Sequence, residues 1–193
     1  MGARAVITAL TICDQPYDRA YHGLRTLVHA PGGIRTAADA QAAWLSAAAK
    51  VDTEHFFYLD SDDDLPVGYM DVLEEAVALD QPLVYTDEAV RSADRPEYVR
   101  EAAPYTQQLH LAKPMLVHHL ALCRTADAME ALLRIEPGHF WPEMQLYWEL
   151  AKGGAAYLPK VGYLWNRRPT GLHTNPAIVM AQTRSALWCK ANP

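Results

Sequence analysis

Four short apolar runs, AVITALTI (5–12), LRTLVH (24–29), HFFYL (55–59) and PLVYT (82–86), are separated by stretches of helical character. Each run is rich in β-branched, aromatic or leucine residues and ends in polar or turn residues, the mark of buried strands. Between them, Thr36 opens TAADAQAAWLSAAAK with Asp39 three positions on, a capping-box arrangement. Pro66 suits a helix's first turn, and Tyr69, Val72, Leu73 and Ala76 follow it at helical spacing. Strands alternating with helices predict an α/β fold with a mostly parallel sheet flanked by helices.

Later in the chain the spacing predicts helices over 125–134, with Thr125 as cap, 142–152, closed by Gly153-Gly154, and 176–190. AAYLPKVGYLWN (155–166) reads as a hairpin, and RSADRPEYVREAAPYTQQLHLAK, polar and interrupted by prolines, as surface loop. Neither a repeat nor a low-complexity linker divides the 193 residues, which predicts one domain with a core that needs no disulfide. Cys13, Cys123 and Cys189 are odd in number and form no CxxC pair, which points away from a disulfide framework or zinc site and toward a reducing, cytoplasmic setting. No window approaches the roughly 18–20 apolar residues of a membrane span, and the N-terminal run reads as a first strand and not a signal peptide. A net charge of −6 without a Lys/Arg run gives no general grip on nucleic acid or membrane.

Three of the four strands run into acids: Asp14 after the first, Asp60 after the third and Asp87 after the fourth. Open α/β sheets bind ligands at the carboxyl ends of their strands, so acids there suggest a cation and, through it, a phosphorylated ligand. The densest group is HFFYLDSDDDLP, where Asp60, Asp62, Asp63 and Asp64 crowd together. Asp60, Asp62 and Asp64 match the first, third and fifth positions of a calcium loop, but Leu65 stands where that loop turns on glycine and Asp71 where it has its bidentate glutamate. An aspartyl-nucleophile phosphatase also begins with DxD after a strand, yet the region after 130 has no second acidic pair. The reading that fits best is a DxD site, in which one acid holds Mn2+ or Mg2+ on a nucleotide-sugar diphosphate, because these ions take one or two carboxylates together with phosphate oxygens.

On these segments the chain resembles the family-2-like inverting glycosyltransferases of GT-A fold, in a compact and possibly phage-type version. HFFYLDSDDDLPVGYMDVLEEAVAL resembles that family's strand, DxD and following helix; PGGIRTAADAQAAWLSAAAKVD its preceding glycine-led helix; and LVYTDEAV its next strand. KPMLVHHLALCRTADAMEALLRI resembles the acceptor-side stretch, and WPEMQLYWELAKGGAAYLPKVGYLWNRRPTGLHT the closing segment. The resemblance implies a nucleotide-sugar-binding half over 1–90 and an acceptor-side and closing half over 91–193.

It further implies that Asp62 binds the metal, Asp60 contacts the ribose or a metal-bound water, and Glu143 is the catalytic base. Thr11 and Asp14 would contact the nucleotide, Arg167 and His173 would close over the diphosphate, and His173 is a possible metal ligand. Two departures stand out: Glu143 falls where the family keeps an aspartate, and a strand unit usual after the first strand is missing, leaving Asp14 or Arg35 to take its part. The activity implied is hexosyl transfer, with inversion, from a nucleotide-sugar such as a UDP-sugar to a hydroxyl acceptor: a glycan, a small molecule, a protein or a hydroxymethylated DNA base. Arg91, Arg95, Arg100, Arg167 and Arg168 would form the basic patch that DNA requires. The rival reading is a non-catalytic nucleotide-sugar or cation-binding module. His118-His119, after an apolar run, and Trp141, Trp148 and Trp165 read as packing residues, and Glu88, beside Asp87, as an acid that could face the acceptor.

Overall fold

The computed structural model describes residues 7–13, 17–30, 32, 37–113, 115–136, 143–168 and 176–193. Its elements in order are β1 (Ile7–Ile12), β2 (Leu24–His29), α1 (Ala37–Ala48), β3 (His55–Tyr58), α2 (Tyr69–Ala78), β4 (Leu83–Ser92), β5 (Arg95–Arg100), α3 (Gln107–Ala112), β6 (Ala121–Arg124), α4 (Thr125–Arg134), α5 (Glu143–Gly153), β7 (Ala155–Asn166) and α6 (Pro176–Ala191). The seven strands form one mixed sheet in the order β2-β1-β3-β6-β4-β5, with β7 also paired to β4. β1 pairs in parallel with β2 and β3, and β4 in parallel with β7. β6 is antiparallel to both β3 and β4, and β5 is antiparallel to β4. Five strands therefore share one direction, and only β5 and β6 oppose it, which makes the sheet mostly parallel as expected.

Successive strand residues face opposite sides of a sheet, and the two faces are filled separately. Leu10, Phe56, Tyr58, Leu83, Tyr85, Ala121 and Cys123 pack against α1, α4 and α5 through Ala47, Ala131, Leu132, Leu146 and Leu150. Ile7, Ala9, Phe57, Leu59, Val84, Leu122 and Tyr163 pack against α2 through Met70, Leu73 and Ala76. Burying each such large apolar side chain contributes about 1.5–3 kcal/mol, so runs without polar alternation are what a sheet covered on both faces demands. Cys123 and Cys189 are buried free thiols, and among the described residues no helix is long and apolar enough to cross a membrane.

Several local expectations are corrected. Pro66 lies ahead of α2, not in its first turn: Gly68, at φ 83°, is the residue that opens the helix, a left-handed conformation that glycine adopts without strain. Thr125 does not cap α4; it is the first helical residue, and its hydroxyl donates to the Thr53 carbonyl at 2.7 Å. The polar stretch after residue 90 is no loop at its start, because β4 continues to Ser92 and turns back as β5. Further on it forms α3, whose Thr106 hydroxyl accepts from the Leu109 amide at 3.0 Å. Residues 155–166 are a single strand, not a hairpin: β7 follows β4 from Leu83↔Ala155 to Arg91↔Asn166, with its register shifted around Pro159 and Lys160. Thr36, the expected cap of α1, lies outside the described residues.

Candidate active site

The site forms where β1, β3, β4 and β7 present their C-terminal halves. β6 runs the other way, so the residues that precede it, His118 and His119, arrive at the same edge. The acid loop after β3 divides in two. Asp63 and Asp64 are held by the protein itself. Asp63, 1% exposed, accepts from the Asn166 amide at 2.7 Å and from the Tyr163 hydroxyl at 3.0 Å, and its carbonyl accepts from Arg19. Burial pushes its carboxyl up to about 7. Asp64 Oδ1 accepts from the Tyr21 hydroxyl at 3.1 Å and from the Leu65 amide at 2.9 Å, and its backbone bridges to Leu164. An acid whose oxygen is engaged in this way does not serve the fifth position of a calcium loop.

Asp60 and Asp62 face outward, with side chains 62% and 41% exposed. Asp62 Oδ2 lies 3.2 Å from Arg168 Nε, and its carbonyl accepts from the Asn166 side chain at 2.8 Å. Asp60 Oδ2 lies 3.4 Å from His119 Nε2. The DxD pair is thus the part of the loop that offers open carboxylate oxygens, the hard donors that Mg2+ and Mn2+ prefer. Among the described residues, the ligand atoms near enough to share one ion at this loop are those of Asp60, Asp63 and His119, and Asp60 is the open carboxylate of that group.

Behind Asp60 stands a chain of alternating charges. Glu88, 1% exposed, lies 2.7 Å from Arg100 Nε through Oε1, while its Oε2 lies 2.9 Å from His118 Nδ1 and 3.3 Å from His119 Nδ1. Burial alone would neutralise Glu88, but the two imidazoles outweigh it and hold its pKa well below the usual carboxylate range. Burial likewise opposes a charged His119, yet Asp60 and Glu88 raise it to about 10, whereas burial and the neighbouring His119 charge lower His118 to about 4. Of the two rings, His119, which faces both Asp60 and Glu88, is the one whose positive charge is favoured. Glu88, Arg100, His118 and His119 form an ion-paired network, and Glu88, His118 and His119 also lie close enough together to share a cation.

Glu143 is the first residue of α5. Desolvation raises its pKa well above the usual value; Asp60's charge adds to the rise and His119's opposes it, so the three groups share one electrostatic site. Glu143 Oε2 is buried and has no hydrogen-bond partner among the described residues, and the same holds for Thr11 Oγ1 near the end of β1. The amide of Arg167 donates to the Arg91 carbonyl at 2.8 Å, and its guanidinium lies 5.8 Å from the Trp165 ring centroid. Asp14, Arg35 and His173 lie outside the described residues.

One expectation about an acid is reversed. Asp87 is not a strand-end ligand: it sits inside β4, accepting from the Ala102 amide at 2.8 Å and the Tyr157 hydroxyl at 2.7 Å. Its neighbour Glu88 faces the site instead. His118 and His119 do pack, His119 stacking on Tyr163 at 4.3 Å, but their nitrogens carry the site's charge network. The expected basic patch is largely paired off: Arg91 with Glu97, Arg100 with Glu88, and Arg168 with Asp62.

Among solved structures, the fold matches Staphylococcus aureus TarS residues 1–349 in complex with UDP, with a TM-score of 0.56 and 12% identity, over 88% of this chain and 49% of that one. The same TarS region in complex with UDP-GlcNAc matches with a TM-score of 0.55 and 12% identity, over 82% and 48%. The likeness is one of fold. The chain has the Rossmann-like α/β fold of these TarS structures, and it spans about half their length. No protein-family model matches the chain, and no curated protein does.

Proposed function

We propose that this chain is a metal-dependent, inverting glycosyltransferase of GT-A type that moves a sugar from a nucleotide-sugar, a UDP-sugar in the first instance, to an acceptor hydroxyl. The observation that carries this reading is the pair of open carboxylates, Asp60 and Asp62, in the loop after β3 at the carboxyl end of the sheet, with a desolvated Glu143 near enough to feel the charge of Asp60. The UDP and UDP-GlcNAc held by the structures of like fold support the choice of donor.

Asp62, with Asp60 beside it, would hold Mn2+ or Mg2+, which when bound neutralises charge on the diphosphate. Asp60 would receive the ribose. Arg167 and Arg168 stand where a departing diphosphate gains from positive charge; Arg168 is exposed and exchanges Asp62 for phosphate at little cost, since a surface ion pair is worth only about 0–1 kcal/mol. Glu143, once ionised, would take the acceptor hydroxyl's proton as that oxygen attacks the anomeric carbon. One displacement without a covalent intermediate inverts the configuration.

Thermal unfolding with manganese and UDP, GDP, CDP, ADP or dTDP, each with and without chelator, tests the reading. A ligand of the native state adds about 2.7 kcal/mol at a hundredfold excess over Kd. A chelator-sensitive shift with one diphosphate is expected. A shift with calcium alone would instead identify a cation-binding module.

A further inference from the structure

A carboxylate 62% exposed at the end of a strand samples several rotamers unless something orients it. Among the described residues, the side-chain contact that Asp60 makes is with His119. That ring is itself fixed on two sides. It lies 4.3 Å from the Tyr163 ring at an interplanar angle of 18°, and its Nδ1 lies 3.3 Å from Glu88 Oε2, which leaves Nε2 directed at Asp60. The Tyr163 hydroxyl also accepts the Asp60 amide at 3.0 Å, so the backbone and carboxylate of Asp60 are referred to one platform.

Glu88 is the foot of this arrangement. It lies opposite Arg100 in the β4–β5 register, and the guanidinium braces the carboxylate oxygen that His118 and His119 leave free. A buried carboxylate placed on a strand facing two imidazoles is more than the sheet needs for packing, since a well-packed apolar residue would serve as well or better.

We infer that Glu88 is a positioning residue for donor binding: braced by Arg100, it holds the His119 ring against Asp60 and so fixes the carboxylate that meets the nucleotide. This rests on the nucleotide-sugar reading above. Glu88 itself does not reach the donor, and it acts as outer-shell partners do when they orient the groups that touch a ligand.

The test is a double-mutant cycle on the full chain, read by calorimetric titration of UDP in the presence of manganese, or of whichever diphosphate shifts the wild type. Glu88→Gln, which keeps size and shape, should weaken binding by about 10–100-fold, as the loss of an outer-shell partner does. In an Asp60→Asn background the same change should weaken binding no further. Unfolding temperatures without ligand, measured alongside, register any purely structural effect, which would lower stability and leave the dissociation constant of the folded protein unchanged. Equal affinity of wild type and Glu88→Gln, or losses that multiply in the double variant, would overturn the inference while Asp60→Asn still upholds the donor reading. If the wild type binds none of the diphosphates, both fall. Should Glu88→Gln fail to fold, His119→Gln removes the same link and is read by the same criteria.

Discussion

Tyr163 and Asp63 meet at 3.0 Å, the phenol donating to Oδ2 of a carboxyl group that is 1% exposed. Tyr163→Phe keeps the ring under His119 but leaves Oδ2 without its donor. Such a loss costs about 1–3 kcal/mol, to be seen as a lower denaturant midpoint with an unchanged slope. Because the same hydroxyl accepts the Asp60 amide, nucleotide affinity should fall as well.

Glu143→Gln should lower turnover at least ~100-fold and leave diphosphate binding within about twofold. Desolvation and, after it, the Asp60 charge raise the Glu143 pKa, so Glu143 ionises at higher pH than an ordinary carboxyl group, and a base works only when ionised. The wild-type rate should therefore rise with pH through the upper part of the accessible range. Product formation by Glu143→Gln equal to wild type would remove Glu143 from the mechanism.

His110 carries a pH signature of its own in the core. It is 0% exposed between Tyr105 and Trp148, its Nε2 donates to the Met144 carbonyl at 3.0 Å, and burial lowers its pKa from 6.5 to about 4. Between those values the unfolded chain binds the proton and the native state does not, so stability falls as pH drops from 6.5 toward 4. The stability that wild type holds over His110→Leu should shrink across that window, by up to about 3 kcal/mol. A constant difference across the window would refute it.

Gly162 lies against β4 with no room for a side chain: a Cβ there would come within 2.6 Å of Thr86 Oγ1 and 3.1 Å of its Cγ2. Thr86 is 3% exposed and cannot swing away freely. Gly162→Ala should destabilise by about 1–3 kcal/mol, measured by urea unfolding, and Thr86→Ser should relieve part of the loss.

The sheet's first strands and the acid-rich loop after β3 could be read directly because apolar runs and crowded acids are local signals. β5 and the far half of β4 could not, since DEAVRS mixes two acids and an arginine into a strand. Those charges tolerate the sheet only because Tyr157, Ala102 and Arg100 meet them from distant positions. The choice between Asp87 and Glu88 turned on the same thing: adjacent residues point to opposite faces, and an unknown strand length hides which face holds the site. His118-His119 gave one usable hint, two adjacent imidazoles just before a buried strand, but their acid partners come from elements 30 and 59 residues away by sequence number (118 − 88 and 119 − 60). β7 looked like a hairpin because Pro159 and Lys160 interrupt its apolar pattern; the strand absorbs them as a register shift.

The reversed direction of β6 sorts the chain's joints into two kinds. Changes in length between α3 and β6 alter the charges that surround Asp60, whereas the joint between β6 and α4, at Arg124 and Thr125, lies at the opposite end of that strand. A graft or a split introduced at the second joint leaves the site's chemistry alone, and one introduced at the first rewrites it.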